Sequence, residues 1–152
     1  EKGIPEEKLI RALKPIPYVS DAKEFFQSLN GGYITGMVTS GFPLAAELIY
    51  NELSLDFCLY NRVNFRNFSV VEYIDLHEKD QLLERFLAKD YPKYNLEENV
   101  CYIGDNSNDI PVLKRAALPL CINPKNGIAE YAREIKRFSE ILNYIKTNDF
   151  EP

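Results

Sequence analysis

Apolar positions along the chain switch repeatedly between a helical spacing and a short continuous run. Ala22, Phe25, Phe26 and Leu29 recur at i, i+3, i+4 and i+7, which is one face of a helix. Ser20 precedes that face as an N-cap, and Asn30-Gly31-Gly32 closes it. Before it, Pro5 to Leu13 reads as a short helix. Pro5 suits its first position, Glu6 and Glu7 suit the positive end of its dipole, and Leu9, Ile10 and Leu13 form its apolar side. Pro15 and Pro17 stop it. Tyr33 to Thr39 then reads as a strand, and Leu44, Ala45, Leu48, Ile49 and Leu53 mark a helix starting near Pro43.

Leu59 to Ile74 has a different rhythm. Alternation through Val63, then Phe68, Val70 and Ile74, predicts a two-stranded excursion turning at Asn64–Asn67. Helical spacing returns from Glu78 to Ala88, with Leu82, Leu83, Phe86 and Leu87 inward. Val100 to Ile103 is a continuous apolar run, the pattern of a strand buried on both faces in a parallel sheet. Gly104 lets the chain turn out of that strand, and Pro111 fits the first turn of the helix that follows. Leu120-Cys121-Ile122 predicts another strand, Ile128 to Arg133 a helix, and Ile135 a last short strand. Ser139 caps a final helix with Ile141, Leu142 and Ile145 inward. Strands and helices alternating in this way predict an α/β fold, a Rossmann-like and mainly parallel sheet flanked by helices, with a small β-hairpin excursion.

Composition narrows the class of protein. The chain has 152 residues, 45% hydrophobic and 27% charged, enough for one domain with a real core. No apolar run approaches the ~18 residues of a membrane span, and Glu1-Lys2-Gly3-Ile4-Pro5 lacks a signal-peptide pattern. Net charge is −5 with no basic stripe, which argues against nucleic acid as a partner. Cys58, Cys101 and Cys121 form no C-x-x-C pair and read as small buried hydrophobes of a reducing, cytoplasmic setting. Asn67-Phe68-Ser69 matches a glycosylation sequon but carries no weight without a secretory signal. His77 has no Cys or His partner at metal spacing and reads as a surface or cap residue.

The chemistry concentrates at strand ends. Asp105 lies at the carboxyl end of one strand and Asp109 at or near a helix start, the crevice where open α/β sheets bind ligands. Two carboxylates and an Asn there suit a hard cation such as Mg²⁺. Capping alone also places Asp, Asn and Ser in such turns. Thr39-Ser40-Gly41-Phe42 ends an earlier strand, where hydroxyls and the N–H groups of a helix start form an anion site. Lys79 falls in the first turn of its helix, the wrong end for the dipole. A lysine placed there for a ligand would leave stability unchanged or slightly raised when removed; the alternative is a solvated surface lysine.

Thr39-Ser40-Gly41-Phe42, then Lys79 opening a helix, then Gly104-Asp105-Asn106-Ser107-Asn108-Asp109 resemble, in order, motifs II, III and IV of the haloacid dehalogenase superfamily. Within it the likeness is to the phosphoserine phosphatase family, through the helix before the Gly31-Gly32-Tyr33 strand entry, the hairpin after motif II and the ending Glu140–Ile145. The likeness covers essentially the whole chain as a single core domain, 1–152, with 1–14 the remnant of a cap-to-core segment. It implies a phosphomonoester hydrolase in which an Asp attacks phosphorus, an aspartyl-phosphate forms and water hydrolyses it. It implies Mg²⁺ held by Asp105, with Asp109 supporting the ion or orienting its shell. It implies phosphate contacts from Thr39, Ser40, Gly41, Lys79 and Asn108, with Lys79 and Thr39 in catalytic roles and Asn123 and Lys125 near the rim. The implied substrate is a small phosphorylated metabolite.

The chain departs from that pattern in two places. It contains no Asp-x-Asp, the family's first motif and the source of its nucleophile. The expectation is that the central first strand, the nucleophile and most of the cap lie upstream of Glu1. That gap would be filled by a longer polypeptide, by complementation with the missing segment or by a homo-oligomer. Ser40 stands where the family usually carries Gly. A second reading is a non-catalytic relative that binds phosphate or a partner without turnover. A phospho-receiver domain fits less well, because its acidic pair comes early in the chain.

Overall fold

The computed structural model describes residues 6–29, 31–60, 62–66, 69–74 and 78–147. Expectations that fall on Pro5, Asn30, Asn67, Phe68 and His77, or on side chains of the expected hairpin, lie outside the described residues. The chain forms two compact units, Glu1–Tyr18 with Phe26–His77, and Val19–Phe25 with Glu78–Pro152.

In the first unit, α1 (Glu6–Leu13) is followed by α2 (Ala22–Ser28), which begins in the second unit and runs into the first. Next come β1 (Gly36–Thr39), α3 (Pro43–Leu53) and β2 (Phe57–Tyr60). β1 and β2 pair in parallel, Gly36 opposite Phe57 and Thr39 opposite Tyr60. β2 corrects the sequence reading, which merged its apolar run into the hairpin. β1 also starts later than Tyr33. The reason is local: Thr35 donates through its N–H (2.7 Å) and hydroxyl (3.1 Å) to Asp56 Oδ2. Asp56 returns its own N–H to the Thr35 carbonyl at 2.8 Å, so the two strands are tied just before their ladder begins. Gly36 has a separate reason to be glycine, since a Cβ there would collide with the Phe57 ring. α3 ends at Ser54 in the left-handed region (φ 53°), its N–H turned back to the Asn51 carbonyl. The predicted excursion is present as β3 (Arg62–Arg66) and β4 (Ser69–Ile74), antiparallel, with an irregularity at Asn64/Phe65. β3 therefore continues through the residues expected to begin the turn.

Among the described residues, the second unit holds most of the buried apolar side chains. β5 (Cys101–Gly104), β6 (Leu118–Ile122) and β7 (Arg133–Ile135) form a parallel sheet in that order. α4 (Lys79–Asp90), the one-turn α5 (Leu96–Asn99), α6 (Ile110–Leu113) and α7 (Ile141–Thr147) complete it. Leu120 and Cys121 of the middle strand, Val112 and Leu113 of α6, and Leu96, Ile128 and Ile135 are fully buried. The helix expected over Ile128–Arg133 is instead a single 3₁₀ turn, Ile128–Glu130. Ile128 anchors it, but Tyr131 is exposed, so no apolar face extends the turn; Arg133–Ile135 pairs with β6 and sends Ile135 inward. Arg115, just past α6, joins Glu84 of α4 at 2.6 Å and Glu97 of α5 at 2.8 Å, a half-exposed network of modest worth.

The C-terminal helix also starts differently. A 3₁₀ turn, Phe138–Glu140, precedes α7, so Ser139 sits inside the turn rather than capping it. The cap comes from Asp21, whose carboxylate accepts the N–H groups of Phe138 (3.2 Å) and Ser139 (2.9 Å). Phe25 stacks on Phe138 at 5.8 Å between ring centroids beside it. Burial pushes the Asp21 pKa up, but the hydrogen bonds from Ser139 and Phe138 outweigh it and hold the carboxyl below its usual range. A lowered folded-state pKa adds stability above the unfolded value and loses it as pH falls through the folded one. Asp21→Ala is therefore expected to cost ~1 kcal/mol at neutral pH. The gap from wild type should close as pH drops below about 4, measured by urea denaturation across an acid series.

Candidate functional site

The sequence Gly104 to Leu113 folds as the pattern requires. β5 delivers Gly104 to its carboxyl end, a 3₁₀ turn spans Ser107–Asp109, and α6 follows with Pro111 in its first turn. Asp105 and Asp109, four residues apart, end up in opposite circumstances. The Asp105 side chain is 55% exposed, with the Lys125 ammonium 3.5 Å from its Oδ2. Asp109 is buried.

Asp109 is buried because every acceptor position on its carboxylate is used. Oδ2 accepts the backbone N–H of Asp105 at 3.1 Å and of Asn106 at 3.3 Å. Oδ1 accepts the Lys79 ammonium at 2.6 Å and the Tyr102 hydroxyl at 2.9 Å. A carboxylate has about four such positions, so Asp109 faces protein donors throughout. Lys79 is the first residue of α4 and is buried with it. The lysine is thus not a solvated surface residue. Its removal would strand a buried carboxylate partner, which costs ~3–5 kcal/mol, so a loss of stability is expected in place of no change. Gly104 has a reason beyond backbone freedom: a Cβ there would lie 2.6 Å from the Asp109 Cβ.

The loop after β6 docks on the loop after β5. The Lys125 N–H donates to the Asp105 carbonyl at 2.9 Å, and Asn126 donates from Nδ2 to Asn106 Oδ1 at 2.6 Å. Asn123, Asn126 and Gly127 carry positive φ (48°, 53° and 77°), and these left-handed residues fold the loop back. Asn108 and Asn123 are exposed.

Thr39, Ser40 and Gly41 lie in the first unit, at the end of β1 and before α3. Thr39 and Ser40 are half-buried, Gly41 exposed. The Gly41 N–H donates to Thr39 Oγ1 at 3.0 Å, which orients the hydroxyl and leaves its proton for an acceptor. Phe42 is the N-cap residue of α3, and Pro43 opens the helix as expected.

Within the second unit, then, the structure brings Lys79, Asp105, Asp109 and Lys125 together, with Asn108 on the same turn. Tyr102 is the member of this cluster that the sequence did not reveal. It sits in an apolar run where a tyrosine reads as one more strand residue, and the only signal was a hydroxyl that burial obliges to find a partner. Burial, and after it the charge of Asp109, push its phenol well above the ordinary value.

No family model matches the chain. A phosphoserine phosphatase from Methanocaldococcus jannaschii is 33% identical over 154 aligned residues, spanning 95% of this chain and 72% of that protein. One from Archaeoglobus fulgidus is 31% identical over 137 residues, 86% of this chain and 39% of that protein. Among solved structures, a substrate-bound phosphoserine phosphatase superposes with a TM-score of 0.79 at 29% identity, covering 94% of this chain and 71% of the other.

Gly104→Ala is expected to push Asp109 off its four donors and to destabilise the protein by ~1–3 kcal/mol. Thermal denaturation checks it, with an exposed-site control such as Gly32→Ala expected to change the midpoint little.

Proposed function

The chain belongs to the phosphoserine phosphatase family of the haloacid dehalogenase superfamily, and on that premise we propose that it is the C-terminal catalytic portion of a Mg²⁺-dependent phosphomonoester hydrolase acting through an aspartyl-phosphate. The observation that carries this reading is the buried Lys79–Asp109 pair at 2.6 Å beside the exposed Asp105. A buried ammonium fixed at a helix start serves to offset phosphate charge, and a neighbouring outward carboxylate serves to bind a cation.

Asp105 would hold Mg²⁺. Its exposure fits an ion that takes one or two carboxylates and keeps several waters. When bound, the ion supplies neutralisation of charge on the transferring phosphoryl group. Asp109 acts by holding Lys79 and the Asp105 and Asn106 backbone, which is the orienting rather than the ligating of its two expected roles. Thr39 donates its hydroxyl proton to a phosphate oxygen, joined by the N–H of Ser40. Asn108 contacts phosphate from the turn between the two Asp residues, and Lys125, 3.5 Å from Asp105 Oδ2, would give up that contact where Asp105 holds a cation. The attacking carboxylate comes from an Asp-x-Asp segment upstream of residue 1. In support, β5 has a ladder partner on one side only among the described residues, so an added strand would lie beside Asp105. The substrate is a small phosphorylated metabolite such as phosphoserine, in a reducing cytoplasmic setting that suits three free cysteines.

The test is hydrolysis of phosphoserine and of an aryl phosphate, with and without Mg²⁺. Residues 1–152 alone should show no more than a residual rate, since positioning without a nucleophile leaves little catalysis. Turnover should appear when the upstream Asp-x-Asp segment is present and vanish when its first Asp becomes Asn. Robust Mg²⁺-dependent turnover by 1–152 alone would overturn the placement of the nucleophile. Phosphate binding without turnover by the longer chain would favour the non-catalytic reading. In the longer chain, Asp105→Asn should abolish both activity and Mg²⁺ dependence while the fold persists. Lys79→Ala should cut turnover about 10²–10³-fold and, unlike Asp105→Asn, lower the denaturation midpoint.

A further inference from the structure

Tyr102 is a buried polar side chain to which the reaction described above assigns no task. It belongs to β5, is 9% exposed, and turns its hydroxyl to Asp109 Oδ1 at 2.9 Å. Packing needs only the ring, and a Phe would fill the same space. The hydroxyl therefore requires a separate account. Asp109 Oδ1 offers two acceptor positions. Tyr102 takes one, so the Lys79 ammonium at 2.6 Å is confined to the other. The remaining oxygen is closed to Lys79 by the N–H groups of Asp105 and Asn106.

We propose that Tyr102 is a positioning residue for Lys79: its hydroxyl fills one acceptor position of Asp109 and so fixes the direction from which the lysine pairs and presents its other N–H donors to a phosphate. The inference rests on the phosphatase reading for the identity of the anion. It assigns Tyr102 no contact with substrate. Without the hydroxyl, the ammonium has two positions on Oδ1 to sample instead of one. That freedom weakens what Lys79 offers an anion.

The probe is Tyr102→Phe in the longer, active polypeptide, read by the dissociation constant for inorganic phosphate in the presence of Mg²⁺ and by kcat and KM for phosphoserine. Changing an outer partner of this kind costs about 10–100-fold. The expected result is a loss in that range in phosphate affinity and in kcat/KM, with wild-type circular dichroism. Tyr102→Leu, which removes the ring as well, separates packing from positioning. A packing role predicts Tyr102→Phe equal to wild type and only Tyr102→Leu impaired, and that outcome would overturn the proposal. A wild type that binds inorganic phosphate but hydrolyses no monoester would sink the phosphatase reading, while the phosphate constants of the two proteins still decide for or against Tyr102. A wild type that binds no phosphate would overturn both.

Discussion

A buried carboxylate must find a hydrogen-bond donor for each of its acceptor positions or forfeit the energy of leaving water. Asp109 meets that demand with four donors drawn from three places in the second unit: the strand interior at Tyr102, the strand exit at Asp105 and Asn106, and the helix start at Lys79. The rest of the cluster depends on this. The two backbone N–H groups can reach Oδ2 only because the chain turns immediately after Gly104, and that turn is what directs the Asp105 side chain outward. A single satisfied carboxylate thus divides the labour between two aspartates of the same short turn, one buried and positioning, the other exposed and available to a cation.

Much of this arrangement was legible in the chain. The alternation of helical and continuous apolar runs placed α3, α4 and β5 close to where they are found and located β1 and β6 with different starts, and the Pro111 and Pro43 helix starts followed from the missing N–H of proline. The turn that carries Asp105 and Asp109 was legible because Gly, Asp and Pro each have a local reason to be there. What the pattern hid was decided by contacts between distant residues. β2 looked like part of a hairpin because apolar runs do not announce their partner, and only the Thr35–Asp56 bonds set its pairing. Ile128 to Arg133 had the composition of a helix but one inward anchor. Lys79 read as a ligand-serving lysine from the dipole and from the family resemblance; its burial against Asp109, 30 residues later, carries a structural cost that no local rule contains.

The parallel strands of the two units differ in how completely they are covered. In the second, alternate residues of β5 and most of β6 are buried, and β6 has a neighbour on each side. In the first, Phe57 to Tyr60 of β2 and Met37 to Thr39 of β1 are only half-buried. A parallel pair earns little from its own ladder and relies on layers packed against it. Thr39 and Ser40 therefore sit on the less covered element, and the ion pair sits on the more covered one.

Asp21 reaches residues 117 and 118 positions away. The second unit is therefore discontinuous in sequence: a short segment, Val19–Phe25, belongs to it, and the whole stretch from Phe26 to His77 is inserted before the remainder arrives. A contact across so long a loop must overcome its closure entropy before it returns any stability. On the ribosome this sets an order of events. The β1–α3–β2 unit is fully synthesised and free to form while Asp21 still waits for a partner. The second unit closes only once the chain has emerged through Ser139, so the buried ion pair acquires its complete surroundings only after that residue has been made.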